Sequence, residues 1–276
     1  MSPSVVSKYP PAVPANPTIG PPPRERVRAL RPRLSTAADL EQIHRWVTEA
    51  AHSPPERHFL TDWDLTVRSH RERNLLIYAT EAAFPVAYEW GRLVEPGHLQ
   101  VHPDYRRQGI GTILVEHRIT QAQRVDAELL YVPCRPSSSI PFWVKNGFAL
   151  HRPAPDQTFA YRTLERSLEC PAGGTPVDVT IRFLPNSTAQ TSTPVAPFSA
   201  TTTTALAYPN GIVRLRERIH FFSRLHPAAD DVLVEIQVNE SVLCQAPAHS
   251  KEAAFAGVFR CRSRNGYYID RITPAL

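Results

Sequence analysis

The feature that most constrains the fold is a glycine-containing turn between a strand pattern and a helix pattern. The segment Gly97–Val101 is typical of a strand, the loop His102–Gln108 follows, and Gly109 and Gly111 open a segment with helical periodicity. Such a turn gathers free backbone N–H groups at the positive end of a helix, where they can hold a pyrophosphate. The GxGxxG spacing of dinucleotide-binding folds is absent, so the sequence predicts another kind of phosphate site.

The segments around this turn predict an α+β domain in which helices flank a mixed sheet. Their order is a strand over Val27–Arg31, a helix begun by a Thr36–Asp39 capping box, a helix near 60–71, strands over Leu75–Ala79, Pro85–Leu93 and Gly97–Val101, a helix from Ile110 to about Gln123, a strand over Leu129–Val132, a short helix that ends at Gly147, and a strand beginning at Phe148.

Two motifs in this region resemble those of the GNAT superfamily of N-acyltransferases. The family's cofactor loop reads Arg/Gln-x-x-Gly-x-Gly/Ala, commonly after Val-x-Pro, and both parts are matched by Val101-His102-Pro103 and the run from Arg106 to Gly111. The family's second signature, Phe-Tyr-x-x-x-Gly-Phe, is approximated by Phe142 to Phe148. The resemblance spans about Arg26 to Leu164.

The resemblance implies that acetyl-CoA or another acyl-CoA binds here and that an amine attacks the thioester directly in a ternary complex. The implied cofactor-binding residues are Leu99, Val101, Arg106, Arg107, Gln108, Gly109, Ile110, Gly111, Thr112 and Phe142. The acceptor is expected to be a primary amine on a small molecule or a protein. Two alternatives are a CoA-binding protein without catalysis, and acylation of a nucleic acid or aminoacyl-tRNA.

The catalytic groups are less well defined, because Trp143 occupies the place of the family's tyrosine and an indole N–H does not titrate usefully. Tyr131 is the candidate acid, with Tyr105 as another aromatic nearby in sequence. Glu89 is the candidate base, since a carboxylate in a partly desolvated cleft can titrate near neutrality. Further candidates for the base are Glu95, His98 and His102. Each of these residues could instead be an ordinary packing or surface residue.

The last hundred or so residues change character. Val177, Val179, Ile181 and Phe183 alternate with polar residues, and the same alternation recurs in Val232–Val238. This pattern predicts a second, all-β domain, either a β-sandwich or a jelly roll. The predicted organisation is a Pro-rich tail over 1–23, an acyltransferase domain over 24–166 and a β domain of unknown role over 175–276. Homo-oligomers could form through edges of the β domain.

Composition, charge and cysteine spacing limit which classes of protein and ligand fit the sequence. Hydrophobic residues make up 42% and charged residues 21% of the chain, which is a globular balance. The formal net charge of +5 favours acidic partners, with nucleic acid as a weaker alternative to a small molecule. The four cysteines have no zinc-type spacing, so no metal site is expected. Without a membrane-length apolar run or a signal peptide, a cytoplasmic protein is expected.

Overall fold

A computed structural model describes residues 31–51, 60, 62–80, 82–93, 97–186, 196–226, 231–261 and 266–273. The predicted tail, most of the predicted strand over Val27–Arg31 and the candidate base Glu95 lie outside these residues.

The first part of the chain contains alternating helices and strands. They are β1 (Arg33–Leu34), α1 (Ala37–Ala50), α2 (Trp63–Arg71), β2 (Leu76–Ala79), β3 (Pro85–Trp90), β4 (His98–Val101), α3 (Ile110–Arg124), β5 (Leu129–Pro133), α4 (Ile140–Lys145), β6 (Ala149–Ala154) and β7 (Gln157–Thr163). The predicted capping box is present, because Thr36 accepts from the Asp39 N–H and the Asp39 carboxylate accepts from the Thr36 N–H.

These strands form two separate sheets. One has the antiparallel order β1-β2-β3-β4, and the other has the order β5-β7-β6. Helix α1 covers one face of the first sheet with Ile43 and Val47, and α3 covers the opposite face with Ile110 and Leu114, all fully or almost fully buried. The predicted α+β architecture is confirmed.

The second part of the chain is dominated by strands. They are β8 (Thr175–Pro185), β9 (Ser199–Ala207), β10 (Val213–Phe222), β11 (Val232–Val238), β12 (Ser241–Pro247), β13 (Val258–Arg260) and β14 (Gly266–Ile272), with the short helix α5 (Lys251–Phe255) before β13.

These seven strands make one curled antiparallel sheet in the order β12-β11-β8-β9-β10-β14-β13. The alternating residues Val179, Ile181 and Phe183 are buried in its core, as the alternation predicts. Two stacked sheets of a sandwich or jelly roll are not found among the described residues, since a single sheet curls around its own core.

The two parts contact each other behind β5. Leu129 and Tyr131 pack against Phe222 and Cys261 of the β domain. The Asp126 carboxylate accepts hydrogen bonds from Arg166 and from Arg218, the second at 3.0 Å. The strand that precedes the second signature is therefore supported from the β domain.

Across the part of the chain that is described, no helix has the length and apolarity needed to cross a bilayer.

Candidate active site

Helix α3 begins directly after Gly109 and has no side-chain cap. The φ angles of Arg107 (+63°) and Gly109 (+84°) place both residues in the left-handed region, which glycine tolerates without steric cost. The first backbone N–H groups of α3 have no partner within the helix and lie at its positive end. This arrangement is suited to binding a phosphate group.

The loop before α3 is tied to the end of β4 by its own side chains. Arg106 Nε donates a hydrogen bond to the Val101 carbonyl oxygen (3.1 Å), and Gln108 Nε2 donates to the Asp104 carbonyl oxygen (3.4 Å). The Asp104 N–H donates to Nδ1 of His102 (3.3 Å). The strand end and the helix start are therefore held together, with Arg106 exposed to solvent.

Gly111 allows the two sequence motifs to touch. A Cβ atom at position 111 would lie 3.0 Å from Cε2 and 3.1 Å from Cζ of Phe142, and 3.6 Å from Cγ2 of Val101. Only a glycine lets the Phe142 ring come this close to the start of α3. Three of the predicted cofactor residues are thus in one packed cluster.

A cavity of ≈ 320 Å³ lies between β4 and β5. Strand β4 ends one sheet and β5 ends the other, and no described strand pairs with the free edge of β4. Strand ends and α4 together form its walls, including His98, Leu99, Val132, Pro133, Phe142 and Trp143. An unpaired strand edge beside an anion-binding helix end is suited to an extended phosphorylated ligand.

Four polar side chains line this cavity: Asp62, His98, Arg135 and Ser139. Asp62 stands at the N-cap of α2 without capping it, and among the described residues neither it nor Arg135 forms an ion pair. Ser139 Oγ is buried without a described hydrogen-bond partner. The His98 ring stacks on Trp90, with centroids 5.5 Å apart. The cavity therefore offers both signs of charge within largely apolar walls.

Glu89, the predicted base, is not among the residues that line the cavity. It is fully buried and forms an ion pair with Arg118 of α3, and its Oε1 accepts from the Leu93 N–H at 3.3 Å. Strand alternation explains this position, because its neighbour Trp90 faces the cavity and Glu89 must face the other side. This geometry favours a structural role for Glu89, and its role as the base stays a prediction.

Tyr131, the predicted acid, also lies away from the cavity. Its hydroxyl is hydrogen-bonded to Nδ1 of His151 (3.0 Å), its ring stacks on Phe159, and the Arg224 guanidinium lies 5.2 Å from the ring centroid. Val132, the next residue of β5, lines the cavity, so Tyr131 faces the β domain instead. It belongs to the contact between the two parts of the chain.

His102 and Tyr105 pack together beside Phe84 and do not line the cavity. Burial lowers the pKa of His102, so its ring is neutral at pH 7 and accepts the Asp104 N–H. Of the histidines considered from the sequence, His98 is the one at the cavity wall.

Trp143 replaces tyrosine in a position that does face the cavity. It is buried, with edge-to-face contacts to Phe142 and Phe148 at 5.0 Å and 5.2 Å. The substitution therefore affects the site itself, since an indole packs there where a phenol could have donated a proton.

Residues 72–150 match the family model described as an acetyltransferase (GNAT) domain. This chain contains a GNAT acetyltransferase domain. The matched segment begins just before β2 and ends within β6, so it includes the glycine turn, β4, β5 and α4. The β domain lies outside it.

Solved structures of GNAT proteins resemble about half of this chain. An acetyltransferase from Staphylococcus aureus Mu50 is 16% identical, and the match covers 49% of this chain and 99% of that one with a TM-score of 0.38. A putative acetyltransferase from Salmonella typhimurium, solved with acetyl-CoA, is 16% identical over 52% of this chain and 99% of its own (TM-score 0.38). A phosphinothricin acetyltransferase from Sinorhizobium meliloti, in complex with acetyl-CoA, is 17% identical over 49% and 88% (TM-score 0.36). No curated protein matches the sequence.

Asp62 and Arg135 are site residues that sequence reasoning missed. Neither belongs to a GNAT motif, and each lies in a connecting segment, Asp62 before α2 and Arg135 after β5. The available signal was that Arg135 closely follows the end of a buried strand.

Proposed function

We propose that the GNAT domain transfers an acetyl group or another short acyl group from acyl-CoA to a primary amine. The proposal rests on the uncapped N-terminus of α3, which packs through Gly111 against Phe142, a residue that lines the cavity beside the unpaired β4 edge. Phosphates suit the helix end, and an extended amide-containing arm suits the strand edge.

The residues present fit this cofactor. The N–H groups from Arg107 to Gly111, together with Thr112, are assigned to the pyrophosphate, and the edge from Leu99 to Val101 is assigned to the pantetheine arm. When bound, acyl-CoA supplies an acyl group activated as a thioester. The absence of a side chain at Gly111 lets the Phe142 ring pack against the start of α3, next to the N–H groups assigned to the pyrophosphate.

We assign proton removal from the acceptor ammonium to His98. It lines the cavity next to Leu99, and an imidazole titrates close to neutral pH. The leaving thiolate takes its proton from water, because Trp143 does not titrate and neither Tyr105 nor Tyr131 lines the cavity. This chain's contribution is therefore orientation and proton transfer.

A small-molecule amine is the acceptor that the cavity favours. A volume of ≈ 320 Å³ is at the small end of ligand sites, and the Asp62 carboxylate can attract an ammonium group.

Release of free thiol from acetyl-CoA, measured against a panel of small amines, amino acids and peptides, tests the proposal. The expected result is amine-dependent thiol release that His98→Gln lowers by roughly 10²–10⁴-fold in kcat/KM, with CoA affinity unchanged. His249→Gln, an exposed histidine of the β domain, is the matched control. CoA binding without thiol release for any amine would instead establish the non-catalytic alternative.

A further inference from the structure

The β domain contains an opening between two of its strands. Val213 and Arg214 of β10 pair with Ile272 and Arg271 of β14, but the register then shifts, and pairing resumes only at Ile219 with Ile269. Between these points β10 hydrogen-bonds with the segment that connects the two domains. The Leu168 N–H donates to the Arg216 carbonyl at 2.8 Å, and the Arg218 N–H donates to the Arg166 carbonyl at 2.9 Å. A cavity of ≈ 580 Å³ lies beside this opening.

Two arginines face each other at one end of this cavity. Arg214 and Arg271 are direct cross-strand partners, and both line the cavity. Among the described residues neither forms an ion pair. Like charges placed directly opposite in a sheet are destabilising. An anion bound between the two guanidinium groups would remove this repulsion.

Two aromatic rings line the same cavity: Tyr268, three residues before Arg271 on β14, and Phe259 on the neighbouring β13. Phe259 and Tyr268 are also direct cross-strand partners, with centroids 5.7 Å apart, and the Phe259 side chain is well exposed for an aromatic at 38%. Three residues of strand span about 10 Å. A ligand that contacts both pairs must therefore carry an anionic group and, at some distance from it, a flat ring.

The other charged side chains that line the cavity do not offset the positive charge of Arg214 and Arg271. Asp270 is held by Arg218 through two hydrogen bonds of 2.7 Å and 2.8 Å, and Arg166 is paired with Asp126. Glu169 is the remaining acidic group of the lining. Two further arginines of this region do not add to the charge of the cavity, because Arg218 is buried and Arg224 lies over Tyr131. The positive charge is concentrated at Arg214 and Arg271 instead.

We propose that this cavity of the β domain, which we call the arginine–aromatic groove, binds a nucleoside phosphate, with its phosphate at Arg214 and Arg271 and its base on the exposed Phe259 ring. The adjacent Tyr268 ring is already covered on one face by the Arg218 guanidinium, 4.1 Å from its centroid. Arginine provides several donors for phosphate oxygens, and an aromatic ring stacks on any base. The moiety could be a free nucleotide or part of a single-stranded nucleic acid. The site is separate from the GNAT cleft and does not depend on acyl transfer.

The test is fluorescence anisotropy of the full chain with a labelled ten-residue oligoadenylate, with unlabelled ADP and inorganic phosphate as competitors. One titration series contains saturating CoA, which occupies the GNAT cleft, and a parallel series without CoA shows whether CoA itself enters the groove. Saturable binding that weakens with salt is expected. Competition by ADP but not by phosphate at equal concentration would identify a single nucleotide as sufficient, whereas failure of ADP to compete would assign the groove to the single strand.

Substitutions of the arginines and of Phe259 test whether the nucleotide binds in the arginine–aromatic groove. Arg214→Gln with Arg271→Gln should weaken binding by roughly tenfold or more and flatten its salt dependence. Phe259→Leu should weaken it about five-fold or more without changing the salt dependence. Arg216→Gln is the matched control, because Arg216 is exposed on the same strand but does not line the groove.

Three results would overturn the proposal. They are the absence of oligoadenylate binding by the unmodified protein, an equal loss with Arg216→Gln and with the double variant, and unchanged binding in the double variant. Thermal unfolding and CoA affinity of each variant separate a folding defect from a lost site, because the groove lies outside the GNAT domain.

Discussion

Gly111 is the single residue on which the geometry of the proposed cofactor site depends most. Gly111→Ala places a Cβ atom 3.0 Å from the Phe142 ring, so that the ring or the helix start must move. Overpacking of this kind costs about 1–3 kcal/mol. We expect CoA affinity to fall roughly tenfold, as the same free-energy range implies. Calorimetric titration with CoA measures it.

Two comparisons make this prediction specific. Gly109→Ala is the contrasting variant, because a Cβ there meets nothing within 4 Å and only the positive φ is strained. Gly111→Ala combined with Phe142→Leu should recover part of the affinity, since the smaller side chain relieves the contact. If Gly111→Ala binds CoA as tightly as the unmodified chain, the two motifs do not cooperate in the way described.

Glu89 is predicted to stabilise the domain through Arg118 and not to titrate in the reaction. Glu89→Gln leaves the Arg118 guanidinium buried without its counter-charge, which costs roughly 3–5 kcal/mol for a buried pair. Urea unfolding followed by tryptophan fluorescence measures this loss. The pH profile of the residual activity should be unchanged. A stable Glu89→Gln protein that lacks one limb of the profile would restore Glu89 as the base.

At the scale of elements, the helices and strands that could be predicted from the sequence are those that have a clear signal within their own segment. The capping box at Thr36, the strand ending at Val101 and the helix from Ile110 were all predictable, because each has its own local signal. The side that Glu89 faces also followed from strand alternation, once Trp90 is known to face the cavity.

Other elements depend on contacts that are distant in sequence. The interruption of β10 arises because residues 166–168 occupy part of its edge, and no property of Val213–Phe222 alone encodes that. The choice between a sandwich and one curled sheet likewise depends on which strands pair, whereas alternation fixes only which side chains are buried. Asp62 and Arg135 likewise line one cavity only because segments that are distant in sequence come together in the fold.

Strand β10 also contains a histidine, His220, whose protonation should lower the free energy of unfolding. His220 stacks on Phe222, its Nε2 is buried without a described hydrogen-bond partner, and burial, helped by nearby Arg218, lowers its pKa to about 4. An unfolded chain binds this proton below a pH of about 6.5. Between pH 6.5 and 4 the unfolded state therefore holds more protons, and stability falls as the pH falls.

We expect His220 to account for about 2 kcal/mol of lost stability between pH 7 and pH 4, after allowance for its partial exposure to solvent. Denaturant unfolding of the unmodified chain and of His220→Gln, at several pH values, measures this term by difference. The other histidines cancel in that comparison. His249→Gln should keep the full pH dependence, and an equal flattening in both variants would contradict the assignment to His220.

At the scale of the whole molecule, the β domain is connected to the site through β5. Val132 lines the cavity while Tyr131, one residue earlier, packs with Phe222 and Cys261 of the β domain. Arg218 joins Asp126 and Asp270 across the same boundary. Tyr268, which lines the arginine–aromatic groove, packs against the same cluster as Tyr131, so packed side chains connect the groove to β5 and β5 to the cavity.

Among the described strands, the curled sheet ends at β12 and at β13, and copies of the chain could associate through either edge. β13 has only three residues, whereas β12 has seven and exposes Val242 (53%) and Leu243 (39%). A long edge with exposed apolar side chains is a ready partner for another copy of itself.

We therefore predict that the full chain sediments as a dimer at tens of micromolar protein and that Val242→Lys makes it monomeric. Val125→Lys, at a similarly exposed valine (55%) of the GNAT domain, should leave the dimer intact. A monomeric unmodified chain, or a dimer that survives Val242→Lys, would exclude association through β12.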